Sequence, residues 1–135
     1  MKKTIVISSI LFLAFVSIIY VFVNLVRKAD TPTYHTISAN QAKEMIDQNP
    51  AVTVLDVRTE EEYVSGHIEN AILLPYDAVP QLAEHTLPDK SATILIYCRS
   101  GRRSKVAANS LAELGYTDIY DFGGINDWPY TIVTE

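Results

Sequence analysis

The sequence predicts an α/β domain with a parallel sheet of about five short strands, covered by helices on both faces and preceded by one transmembrane helix. Three observations carry this expectation. Short apolar, β-branched runs alternate with segments whose apolar residues recur at helical spacing, the pattern of strands joined by crossover helices. Residues 4–26 contain no charge and are almost wholly apolar or small. What remains, residues 29–135, is long enough for one hydrophobic core and too short for two.

The apolar run comes first in the chain. At ~1.5 Å per residue it covers a hydrocarbon core of ~30 Å. A cleaved signal peptide has a shorter apolar core and ends at small residues, whereas this run ends in Asn24-Leu25-Val26-Arg27-Lys28. Residues 1–28 are therefore expected to stay as an anchor, and no cysteine is present there to be acylated. Lys2 and Lys3 on one side nearly balance Arg27 and Lys28 on the other. The short basic start resembles an uncleaved signal, which favours a single-pass protein of the cell membrane with its domain on the extracytoplasmic side.

Beyond a polar tether, Tyr34-His35-Thr36-Ile37 is a candidate first strand. Ser38-Ala39-Asn40-Gln41 has the form of a capping box, and Ala39, Ala42, Met45 and Ile46 follow along one helical face that stops before Asn49-Pro50. Ala51–Asp56 is β-branched and apolar and is expected at the centre of the sheet. Thr59-Glu60-Glu61-Glu62 repeats the capping box, its acids complementing the helix dipole without a catalytic role, and Gly66 is expected to close that helix in the αL conformation. A turn from Gly66 leads to a third strand ending at Pro75, and residues 76–90, with Pro80 and Pro88, suggest a short or broken helix and a loop. Thr93–Tyr97 reads as a fully buried strand, residues 103–114 as a helix stopped by Gly115, and Asp118–Phe122 as the last strand.

Charge is distributed unevenly. Excluding the four basic residues that flank the anchor, seven basic residues stand against all sixteen acidic ones, about −9 for the domain. Nucleic acid is an unfitting partner for such a surface. Four of the seven, Arg99, Arg102, Arg103 and Lys105, lie within seven positions, a positive focus that points to a small anionic ligand. His35 has no Cys or second His at ligand spacing, so no metal site is expected. His67, just after a helix-ending glycine, is read as holding the turn rather than as a general base.

The focus surrounds the single cysteine, in Cys98-Arg99-Ser100-Gly101-Arg102-Arg103-Ser104. A strand-to-helix turn aims backbone N–H groups inward, and the helix N-terminus adds partial positive charge, so the site favours an anion and favours thiolate over thiol. Many single cysteines are inert packing. Neighbours of Arg, Ser and Gly argue instead for a nucleophile.

Asp56-Val57-Arg58, Glu62-Tyr63, Gly66-His67-Ile68-Glu69-Asn70-Ala71 with Pro75, the Cys98–Ser104 loop, and Gly123-Gly124 with Trp128 together resemble the single-domain rhodanese family of sulfurtransferases. The resemblance covers the whole domain from residue 29 to residue 135. It implies that Cys98 attacks the outer sulfur of a donor such as thiosulfate, becomes a persulfide, and passes the sulfur to cyanide or to an acceptor thiol. It implies no metal or organic cofactor. The loop amides of Arg99, Ser100, Gly101, Arg102, Arg103 and Ser104 would cradle the persulfide, and Arg99, Arg102 and Arg103 would orient the donor's sulfonate. Arg58 belongs to the same pattern as a contributor to the substrate site, or as half of an ion pair with Asp56 fixing the strand end below the loop. Gly123 and Gly124 are assigned to backbone geometry and Trp128 to the core. The chain departs from the family only after Trp128, where its closing segment is shorter than usual.

Two rivals remain. A cysteine-based phosphatase needs five residues between Cys and Arg, which would place Arg at position 104, but that residue is Ser and Arg103 comes one place early. An arsenate reductase is disfavoured by the same count and by the lack of a second cysteine. From another class, a membrane-tethered sulfur carrier or redox-sensing module would keep the fold and serve one partner. In every case the acceptor lies outside the chain.

Overall fold

The computed structural model describes residues 12–24 and 33–134. The chain divides into two compact units, Met1–Thr31 and Pro32–Glu135. In the first, residues 12–24 form a helix, α1, with its large apolar side chains exposed, among them Phe12, Phe15, Ile18 and Phe22. The rest of the expected 4–26 span lies outside the described residues. Among the described residues, no helix is long and apolar enough to cross a membrane.

The second unit runs β1 (His35–Thr36), α2 (Ala39–Gln48), β2 (Thr53–Asp56), α3 (Glu60–Ser65), β3 (Ile72–Leu73), α4 (Val79–Thr86), β4 (Ile94–Cys98), α5 (Arg102–Glu113) and β5 (Ile119–Gly124), closing with a 3₁₀ turn at Ile125–Asp127. The five strands form one parallel sheet in the order β1-β5-β4-β2-β3. The central strand is β4, not the 51–56 segment expected there. Both are inner strands with continuous apolar runs, so their patterns alone do not rank them. Every residue of β4 is buried, whereas β2 begins at half-buried Thr53.

Alternation along β4 builds two cores. Ile94, Ile96 and Cys98 face one layer, where Val79 and Ala83 of α4 and Ala107, Ala108 and Leu111 of α5 pack. Leu95 and Tyr97 face the other, with Ala42 of α2, Ile68, Phe122 and Trp128. Ser38 and Thr59 both make the expected capping boxes, with Gln41 and Glu62. Gly66 closes α3 at φ 154° and ψ 129°, not in αL. The next residue, His67, pairs with Val133, which donates to and accepts from its backbone at 2.8 and 2.9 Å. Pro80 sits in the first turn of α4, where its missing N–H costs no helical bond, so that helix is unbroken.

Parallel order places the C-terminal ends of β2, β4 and β5 side by side. The starts of α3 and α5 therefore meet at one edge of the sheet, with Cys98 between them.

Candidate active site

Cys98 ends the central strand and is 1% exposed. Its Sγ accepts the Gly101 N–H at 3.1 Å across the turn. Gly101 stands at φ 96°, a left-handed conformation that permits the tight entry into α5. Burial opposes charge on the sulfur, but hydrogen bonding from Ser104 and from the amides of Gly101 and Ser100 outweighs it, and the thiol is held below the ordinary cysteine range. The loop's own hydrogen bonds outweigh burial and favour the thiolate.

The loop rests on β5. Cys98 lies opposite Gly124 in the β4–β5 register, after an irregularity between Ile96 and Cys98. A Cβ on Gly124 would sit 2.3 Å from the Arg99 carbonyl oxygen, so the two backbones touch only because residue 124 has no side chain. Asn126 donates its amide to that same carbonyl at 3.2 Å. Ser104, fully buried, directs its hydroxyl at the carbonyls of Gly101 and Gly123, 3.1 and 3.3 Å away. Gly123, at φ 87°, donates its amide to the buried Asp121 carboxylate at 3.0 Å.

The three arginines of the loop have different fates. Arg103 is half-buried and makes a two-point contact with Glu62, at 2.7 and 2.8 Å. Glu62 also accepts the Thr59 amide at 3.1 Å, so the helix cap and the active loop share one carboxylate. Arg103 holds the Glu62 carboxyl at about 2, far below its usual range. Arg99 and Arg102 are exposed and form no ion pair among the described residues. Glu62 is a site residue that the sequence reading gave only a capping role. The signal was available: β2 and β4 are both inner parallel strands, so helices following them start at the same edge.

Arg58, assigned to the substrate site or to an ion pair, is 5% exposed. Its guanidinium grips the Asp56 carboxylate, with Nη2 at 2.6 Å and Nε at 3.0 Å, and donates to the Gly66 carbonyl at 2.7 Å. These bonds tie Arg58 to the end of β2 and to the turn after α3, the bracing half of the two roles expected for it. The Tyr97 ring lies 5.5 Å from it, and burial, together with the Asp56 charge, keeps that phenol protonated. His67 stacks on Tyr63 at 3.7 Å, and its Nδ1 lies 3.0 Å from the Tyr63 carbonyl, in the turn. Trp128 is buried against Phe122 at 5.6 Å. A groove of about 510 Å³ lined by Lys43, Asp47, Glu69, Trp128 and Tyr130 contains no residue of the cysteine loop.

Such a site can do one kind of chemistry well. A buried cysteine whose thiolate is favoured by hydrogen bonds from its own loop can attack a polarisable atom and hold the resulting anion.

Comparison with known proteins bears on that chemistry. The model of the rhodanese-like domain matches residues 38–129. The thiosulfate sulfurtransferase PspE of Escherichia coli (strain K12) is 38% identical over 73 residues, covering 54% of this chain and 70% of that protein. The tRNA uridine(34) hydroxylase of Photorhabdus laumondii is 34% identical over 97 residues, covering 68% of this chain but only 27% of the hydroxylase. Among solved structures, a rhodanese with anions from E. coli superposes with a TM-score of 0.59 at 35% identity, covering 63% of this chain and 100% of the other. A rhodanese-related protein from Thermoplasma volcanium gives 0.66 at 31% identity, covering 76% and 100%.

Proposed function

The chain belongs to the rhodanese-like domain family, and from that premise we propose that it is a sulfurtransferase that carries sulfane sulfur as a persulfide on Cys98. One observation carries the reading: a cysteine 1% exposed, whose sulfur is hydrogen-bonded by the amides of its own loop and held below the ordinary thiol range. The likeness to a thiosulfate sulfurtransferase supports thiosulfate as donor, and the likeness to a rhodanese with anions supports an anionic one.

In the loading step the Cys98 thiolate attacks the outer sulfur of thiosulfate. A new S–S bond forms, the donor's S–S bond breaks, and sulfite leaves with its electron pair. Exposed Arg99 and Arg102 orient the departing sulfonate, while the amides of Ser100, Gly101 and Ser104 hold the anionic outer sulfur of the persulfide. In the unloading step cyanide or an acceptor thiolate takes that outer sulfur, and the electron pair of the broken bond returns to Cys98. Arg103 cannot swing onto a donor without giving up Glu62, so it acts as a fixed wall of positive charge. Position 104, where a phosphatase would carry its arginine, holds a buried serine. This leaves no cation there to neutralise a tetrahedral phosphate.

Full-length protein in neutral detergent should turn thiosulfate and cyanide into thiocyanate, and Cys98→Ser should abolish this. A wild type that forms no thiocyanate yet hydrolyses an aryl phosphate overturns the reading.

The proposal extends to the first unit: residues 4–26 anchor the enzyme in the cell membrane with its domain outside. Exposed phenylalanines and isoleucines on α1 fit a lipid environment. Ser17 and Asn24 donate their side chains back to the carbonyls of Leu13 and Tyr20, which lowers the cost of placing them in lipid. Protease added to intact cells should remove the domain. Protection that is lost only on lysis would reverse the orientation.

A further inference from the structure

Among the described residues, four Lys or Arg side chains are bonded to an acid. Lys43 pairs with Asp47, Arg58 with Asp56, Lys90 with Glu84 and Arg103 with Glu62. The cations left without an ion pair or a side-chain hydrogen bond are Arg99, Arg102 and Lys105. All three are exposed, and all three lie on the cysteine loop or the first turns of α5. Arg102, Lys105, Val106 and Asn109 share one helical face, and each is exposed. Val106, 45% exposed, adds an apolar contact beside Lys105.

A small dianion accounts for only part of this rim. The loop amides and one or two arginines are enough for a sulfonate, while Lys105 lies ~4.5 Å further along the helix axis than Arg102. An unpaired cation on a surface rich in acids leaves a local positive field that only an external anion can neutralise. The sulfur lies at the end of the strand that runs into this loop, and the chain's one cysteine makes the acceptor thiol external. We propose that Arg99, Arg102 and Lys105 form a docking rim for an acidic polypeptide that presents the acceptor thiol to Cys98. The acidic remainder of the domain repels such a partner, so it docks in one place only. A lipid surface suits the rim less well, because headgroups covering it would close the route to the sulfur.

This proposal rests on the sulfurtransferase reading and names its acceptor. On docking, the acceptor thiolate attacks the outer sulfur of the Cys98 persulfide and becomes a persulfide itself. The bond to Cys98 breaks, and the electron pair stays on Cys98 as thiolate.

The test uses full-length protein in neutral detergent, loaded with thiosulfate and freed of excess donor. Single-turnover sulfur transfer is followed to three cysteine peptides of equal length, flanked by acidic, neutral or basic residues, and to 2-mercaptoethanol. At low salt the acidic peptide should react about tenfold faster than the neutral one, and the advantage should shrink in about 0.5 M salt. Lys105→Glu should remove most of that advantage, and Lys105→Arg should keep it. Both variants should still load from thiosulfate, and once loaded both should react with uncharged 2-mercaptoethanol within about twofold of wild type. Equal rates for the three peptides overturn the proposal while leaving loading, and so the sulfurtransferase reading, intact. Phosphatidylglycerol vesicles that slow all four acceptors alike, with no preference among the peptides, would assign the rim to lipid and also overturn it. Failure to load from thiosulfate would count against the underlying reading instead.

Discussion

Glu62 and Arg103 stand 41 positions apart in the chain and meet through two hydrogen bonds at the mouth of the site. Their contact ties the cap of α3 to the first turn of α5. Replacing Glu62 by Gln should cost about 1–2 kcal/mol at neutral pH, more than an exposed pair because the contact is two-point and partly buried. Its pH dependence has a definite sign. The carboxyl is held at about 2 in the folded state against an ordinary 4.5. Its contribution is therefore complete above about pH 4.5 and is lost as pH falls through about 2. Urea unfolding of both proteins across that range should show the gap closing on acidification, and a gap independent of pH would deny the ion pair its role. At this scale the cysteine, its basic neighbours and the Asp56–Arg58 pair were legible, because each lies within one short stretch. Glu62 was legible only as a cap, since its second partner is remote in sequence.

Among the elements, the β4–loop–α5 unit depends on β5 for its shape. Gly124 has an ordinary extended backbone, at φ −126°, yet a Cβ there would press on the Arg99 carbonyl at 2.3 Å. Gly123 is the converse case: its φ of 87° strains any other residue, but the space around it is open. Gly124→Ala should therefore displace the loop, cutting turnover about tenfold or more at a stability cost of about 1–3 kcal/mol. Gly123→Ala should cost about 1 kcal/mol with a smaller effect on turnover. Melting temperatures and rates of thiocyanate formation for the two variants check this contrast, and equal losses of rate would contradict it. Helix starts were readable from Ser38 and Thr59 because capping is local. The His67–Val133 bridge and the choice of β4 as centre were not, because pairing between distant segments leaves no mark on either one alone.

For the whole molecule, charge and position converge on the sulfur. The domain is acidic, its other described cations are spent on ion pairs, and the free ones surround a thiolate at the C-terminal edge of a parallel sheet. The composition already showed the asymmetry. Which cations were free required the fold, since Arg103 and Arg102 are indistinguishable in sequence. The central claim is that Cys98 accepts one sulfur atom and gives it up again, and the most direct measurement is the intact mass of the full-length protein after thiosulfate, with and without a thiol wash. Wild type should gain the mass of one sulfur atom and lose it in the wash, while Cys98→Ser should gain nothing. An unchanged wild-type mass with thiosulfate and with other sulfane donors, or an equal gain in Cys98→Ser, would contradict it.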